Sequence, residues 1–144
     1  MKAPERTPAG YSGKPVWQKL GLRAESRLLL RNAPSDYAAM VGLDAASVNE
    51  AGPRAPFDVA HVFATSAATL AREIESLSRR LGAAGVLWVS WPKKASKVMT
   101  DITEDTVRDI ALPLGLVDVK VCAVDEVWSG LKLVWRRDRR DGKR

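Results

Sequence analysis

The sequence predicts one α/β domain whose sheet is mostly parallel and ends in an antiparallel C-terminal hairpin strand, and three observations predict it. Apolar-rich strand segments recur at Leu28 to Leu30, Phe57 to Ala64, Val86 to Trp91 and Val117 to Val124, and the unbroken Leu28 to Leu30 has the pattern of a strand covered on both faces. Helically spaced segments separate the last three of these runs, and crossovers of that length join parallel neighbours. Only Asp125 to Gly130 lie between the Val117 run and Leu131 to Arg136. So short a connection cannot cross the sheet, so the last strand returns antiparallel.

Taken in order, residues 1 to 13 hold Pro4, Pro8, Gly10 and Gly13 among polar neighbours and read as a flexible arm. From Pro15 a short helix follows, with Val16, Trp17 and Leu20 as its apolar contacts and Gly21 as its stop. Asn32, Ala33 and Pro34 close the first strand. Ser35 to Val41 gives one or two helical turns ended by Gly42, and Ser47 to Glu50 a short second strand. Gly52, Pro53 and Pro56 mark a loop. Ser66 caps a helix in which Ala67, Leu70, Ile74, Leu77 and Leu81 recur at spacings of three and four, with Gly82 as its stop. Thr103 caps another, with Glu104 and Asp105 in the first turn where the helix dipole favours acids and Pro113 and Gly115 at its end. The domain thus runs from residue 14 to 136, and residues 137 to 144 form a basic tail.

Composition narrows the function classes. The chain has 144 residues, 46% apolar and 28% charged, enough for one domain with its own core. No apolar run approaches the roughly 20 residues of a membrane-spanning helix, and the N-terminus does not resemble a signal peptide. A cytoplasmic protein without a membrane partner is the expectation. The net charge of +6 is carried entirely by residues 1 to 14 and 136 to 144, so a basic groove built into the fold is not expected. Nucleic acid is therefore expected only as a loose, salt-dependent partner of the tails.

Cys122 and His61 are the only residues of their kinds, so no internal disulfide and no cysteine-rich metal site can form, and no metal is expected. His61 alternates with Val59 and Phe63 in an apolar strand and reads as a core histidine satisfied by hydrogen bonds. Cys122 reads as a small core hydrophobe.

Ligands of open parallel sheets bind beyond the carboxyl ends of the strands. Here those ends deliver Asn32, Ser66, Trp91, Lys93, Lys94, Ser96, Lys97, Asp125, Glu126 and Trp128. Lys93, Lys94 and Lys97 supply charge for an anionic group, and Trp91 and Trp128 supply apolar contact area. Asp125 and Glu126 offer an alternative role as general acid and base. No catalytic residue is assigned. Dinucleotide and S-adenosylmethionine sites on such sheets use a glycine-rich turn after the first strand, because glycine lets backbone approach the cofactor. The turn here is Arg31-Asn32-Ala33-Pro34-Ser35-Asp36, and no phosphate-binding glycine loop occurs elsewhere, so no cofactor is expected. Glu50, near the end of the second strand, could contact a ribose.

The stretches Gly10 to Pro15, Phe57 to Phe63, Leu87 to Ser96 and Val119 to Lys132 together resemble a bacterial family known only as domain-of-unknown-function family 3052. That resemblance spans nearly the whole chain and implies no assigned reaction. More distantly, the order of elements from residue 57 to 136 is similar to the second half of class I methyltransferases, whose final strand also runs antiparallel. It implies a Rossmann-like, three-layer fold, methyltransferase-like but shortened, since only about 25 residues separate the first strand from Phe57. Three functional readings follow. The first is a non-catalytic, methyltransferase-like domain that binds a small anionic ligand or a protein partner at the strand-end rim. The second is a divergent enzyme using Asp125 or Glu126, and the third is an interaction module whose basic tails hold nucleic acid.

Overall fold

The computed structural model describes residues 14–140, without the Arg140 side chain. The expected N-terminal arm and the last four residues of the expected basic tail lie outside that range. Five strands, β1 (Leu28–Arg31), β2 (Val59–Phe63), β3 (Val86–Pro92), β4 (Leu116–Ala123) and β5 (Trp128–Trp135), form one sheet in the order β1-β2-β3-β5-β4. β1, β2 and β3 pair in parallel, and β5 is antiparallel to both β3 and β4. The four forward strands therefore end at one rim, although β5 separates β4 from β3 instead of leaving their ends side by side. The fold is the α/β, Rossmann-like arrangement expected, with its antiparallel hairpin strand in place.

Helices cover both faces. On one, α1 (Val16–Lys19) and α2 (Tyr37–Val41) pack Val16, Leu20, Tyr37, Met40 and Val41 against Leu28, Val59, Phe63 and Trp88. On the other, α3 (Ala67–Ser78) and α4 (Glu104–Leu114) pack Leu70, Ile74, Leu77, Val107 and Ala111 against Val62, Leu87, Val89, Leu131 and Leu133. Alternation along a strand decides which residue serves which layer. Within β3, Leu87, Val89 and Trp91 enter the α3/α4 layer, while Trp88 enters the other. The fully buried Trp88 donates its indole N–H to the Leu20 carbonyl over 3.0 Å, tying α1 to the centre of the sheet.

Local chemistry explains the helix bounds. The Ser66 hydroxyl accepts the Thr69 amide at 3.3 Å, and Thr103 forms a reciprocal capping box with Thr106. Pro113 is accommodated inside the last turn of α4, and the helix stops at Gly115, whose φ of +96° suits glycine. The first four residues of the expected tail form a short helix, α5 (Arg137–Arg140).

The expected second strand shrinks to a single parallel bridge between Leu28 and Glu50, preceded by a 3-10 turn at Ala45–Ser47. The Leu28 amide donates to Asn49, and Ala51 donates back to Leu28. That bridge governs the architecture. From β1 the chain passes through α2 to one side of β1, then returns to place β2 on the other side. β1 and β2 thus flank a topological switch point, the position where open α/β sheets form a crevice.

Candidate functional site

The crevice is present at that position. A hollow of about 270 Å³ is lined by Asn32, Phe63, Ala64, Thr65, Thr69 and Trp128. Asn32 also borders a neighbouring hollow of about 420 Å³, which extends along the β1–α2 turn to Ser35, Tyr37, Val48 and Glu50. The walls present an amide, hydroxyls, an indole and one carboxylate, the mixture of apolar area and sparse polar groups typical of small-molecule sites.

Asn32 shapes the crevice through its backbone. Its φ is +59°, the left-handed conformation that glycine adopts freely and that asparagine tolerates best among other residues. The turn after β1 thereby obtains a glycine-like bend without glycine, and a side chain remains in the crevice. The Asn32 amide lies 3.3 Å from one oxygen of Glu73, whose other oxygen binds Arg31 at 2.8 Å. This clamp joins the end of β1 to α3. A side chain thus stands where a nucleoside cofactor would need bare backbone, and Pro34 removes a further amide donor from the turn. The turn thus differs from the glycine-rich turn by which such sheets hold a dinucleotide or S-adenosylmethionine.

Trp128 forms the far wall. Its ring meets Phe63 edge-on at a centroid separation of 5.1 Å, and Phe63 stacks on His61 at 4.4 Å. Beneath them lies a fully buried polar chain: the Tyr37 hydroxyl is 2.9 Å from His61 Nδ1, and the Ser90 hydroxyl is 2.8 Å from His61 Nε2. Burial lowers the imidazole pKa to about 3 and pushes the Tyr37 phenol upward, with Cys122 adding to the latter shift. His61 is thus the satisfied core histidine expected. Cys122 is buried too, and burial raises its thiol pKa.

The rim residues named from the sequence divide into three groups. Asn32 and Trp128 line the crevice, and Ser66 caps the helix that starts beside it. Lys93, Lys94, Ser96 and Lys97 lie on the loop after β3, away from the crevice wall. Lys93 is half-buried, its amide bound to Val127 at 2.7 Å, and Lys94 and Lys97 are exposed. Burial lowers the Lys93 pKa, while Asp125 and Glu126 pull it back. Ser96 closes its own turn by donating to the Lys93 carbonyl at 2.6 Å.

Two assignments change. Trp91 supplies no rim contact area: it is 6% exposed and belongs to the core beneath α3 and α4, because strand alternation turns it away from the crevice face. Asp125 is buried and has a structural role in its turn. One of its carboxylate oxygens accepts the amides of Val127 and Trp128, each at 2.8 Å, which builds the β4–β5 turn. Glu126 is exposed on that turn.

Thr65, which follows β2 directly and is delivered to the rim by that strand's end, lines the crevice. Phe63, Thr69 and Glu73 are not singled out from the sequence as site residues. Thr69 and Glu73 needed the position of α3 relative to β1. Among the described residues no three His, Cys, Asp or Glu side chains gather as a metal would need, and no helix is long and apolar enough to cross a membrane.

Neither a protein-family profile nor a curated protein matches the sequence, so the resemblance to domain-of-unknown-function family 3052 gains no support. Solved structures do match in shape. A protein of the NADB-Rossmann superfamily from Streptococcus agalactiae superposes with a TM-score of 0.54 at 10% identity, over 87% of this chain and 69% of that one. The tRNA methyltransferase TrmK of B. subtilis gives 0.51 at 11% identity, over 83% of this chain and 63% of its own. LepI in complex with SAM gives 0.51 at 9% identity, over 83% of this chain but 39% of LepI. At such identities the likeness concerns the fold alone. The chain has a Rossmann-like, methyltransferase-type fold and spans only part of the length of these structures.

Proposed function

We propose that this chain is a small-molecule-binding domain on a methyltransferase-type scaffold and that methyl transfer is not its activity. The observation that carries the reading is the switch-point crevice, where two adjoining hollows meet at Asn32. A ligand with a flat apolar part would pack on Trp128 and Phe63 and bond to Asn32, Thr65 and Thr69. An anionic substituent would extend out of the crevice toward Lys93, the first residue after Pro92, which pairs with Trp128. The Asn32 side chain, bonded to Glu73, stands where the two hollows adjoin and would contact a ligand in either one.

The test is a thermal-shift panel on the full chain with aromatic carboxylates, sugar phosphates, nucleotides and S-adenosylmethionine. A ligand at about 100 times its Kd stabilises the folded state by about 2.7 kcal/mol, a rise of several degrees for a domain this size. The expected result is such a rise with a small anion, lost in Trp128→Ala and Thr69→Arg. Stabilisation by S-adenosylmethionine at micromolar concentration would overturn the reading in favour of an enzyme, and a rise that persists in both variants would move the site elsewhere.

A further inference from the structure

The loop that follows β3 combines two features that rarely coincide, a tightly bonded backbone and an uncovered apolar tip. Its start is a 3-10 turn at Lys94–Ser96, in which Ser96 and Lys97 donate their amides to the carbonyls of Lys93 and Lys94. The Ser96 hydroxyl donates to Lys93 and accepts the Val98 amide at 3.2 Å. At the far end, the Thr100 hydroxyl donates to the Thr65 carbonyl at 2.7 Å and accepts the Ile102 amide. Asp101 accepts the Ala67 amide at 2.7 Å, fastening the loop to the start of α3. Between these anchors Lys97 takes a left-handed φ of +63°, a conformation that costs a lysine about 1 kcal/mol or more and persists only when its surroundings enforce it.

The outcome of this bonding is exposure. Met99 is 90% exposed and Val98 44%, flanked by the exposed Lys94 and Lys97. A fixed loop loses little conformational freedom on binding, and methionine adapts its shape to varied apolar partners. The two exposed lysines ask for acidic counterparts on either side of an apolar contact. An extended polyanion or an anionic bilayer fits less well, because Asp101 adjoins the tip and Asp125 and Glu126 lie within electrostatic reach of Lys93. These acids break the positive field into separate points, which a peptide with alternating acidic and apolar residues can match.

We propose that the loop from Lys94 to Thr100 is a docking surface for an acidic protein segment carrying an apolar side chain, with Val98 and Met99 in the apolar contact and Lys94 and Lys97 pairing the acids. This surface is distinct from the crevice and stands whether or not a small ligand binds there.

The experiment measures fluorescence anisotropy of the full chain with a labelled peptide of alternating glutamate and leucine, beside a peptide with lysine replacing glutamate. Single-stranded RNA and phosphatidylserine-containing vesicles are the other probes. The expected result is saturable binding of the acidic peptide only, weakened at least tenfold by Met99→Asp and by the pair Lys94→Glu and Lys97→Glu, and retained by Met99→Leu. All variants keep both basic termini, so binding through those termini would survive in every one and would overturn the proposal. So would tighter binding of RNA or vesicles, or no binding of the acidic peptide. Circular dichroism checks that each variant folds, and the crevice variant Trp128→Ala should bind the peptide as the parent does.

Discussion

His61 Nε2 and the Ser90 hydroxyl meet at 2.8 Å in the middle of the sheet, both side chains fully buried, with the Tyr37 hydroxyl on the opposite ring nitrogen. A neutral imidazole has one donor and one acceptor nitrogen, and hydroxyls complement either. Among the described residues, no buried side-chain nitrogen or oxygen lacks a partner. This chain links α2, β2 and β3 beneath the crevice, and it makes stability depend on pH.

Because the folded-state pKa of His61 falls from 6.5 to about 3, the unfolded chain takes up the proton first as pH drops. Its contribution to stability is complete above about pH 6.5 and is lost progressively toward pH 3. Between pH 7 and pH 5 the loss from this one residue is about 2 kcal/mol. Urea denaturation at the two pH values should show it, and His61→Gln should flatten the difference. An unchanged slope in that variant would assign the pH dependence to other groups.

Ser90→Ala removes one partner of the imidazole without opening a route for water. Leaving a buried polar nitrogen unpaired costs about 1–3 kcal/mol. Chemical denaturation should register that loss, and a variant as stable as the parent would show that His61 finds another partner.

Asn32 separates backbone geometry from side-chain contact. Since it already occupies left-handed space, Asn32→Gly should change stability by less than about 1 kcal/mol, whereas the β-branched Asn32→Val should cost about 1–3 kcal/mol. Equal melting temperatures for the two variants would contradict the strained turn.

For Asp125 the amide contacts give an outcome different from catalysis. Asp125→Ala strips the acceptor from the Val127 and Trp128 amides and should cost about 1–3 kcal/mol. Asp125→Asn keeps an acceptor oxygen and should recover much of that loss. An Asn variant as unstable as the Ala variant would mean that charge, not hydrogen bonding, holds the turn.

Trp88→Phe tests the link between α1 and the sheet. It removes the bond to the Leu20 carbonyl and leaves a small void, together about 2–4 kcal/mol. Calorimetry should show a single transition at lower temperature.

The sequence by itself determined the class of fold and the direction of its strands. The apolar-rich Phe57, Val86 and Val117 segments, helical spacing from Ala67 to Leu77, the caps Ser66 and Thr103 and the short link after Val124 are local signals. Each reflects burial or backbone hydrogen bonding within a few residues. Tertiary structure alone decided that β5 lies between β3 and β4, that the Glu50 segment contributes one bridge, and that Trp91 faces the core while Trp128 faces the crevice. The same is true of the clamp between Arg31, Asn32 and Glu73, whose members lie about 40 residues apart. Such contacts depend on which strand edges and helix faces are brought together, and no local propensity encodes that choice.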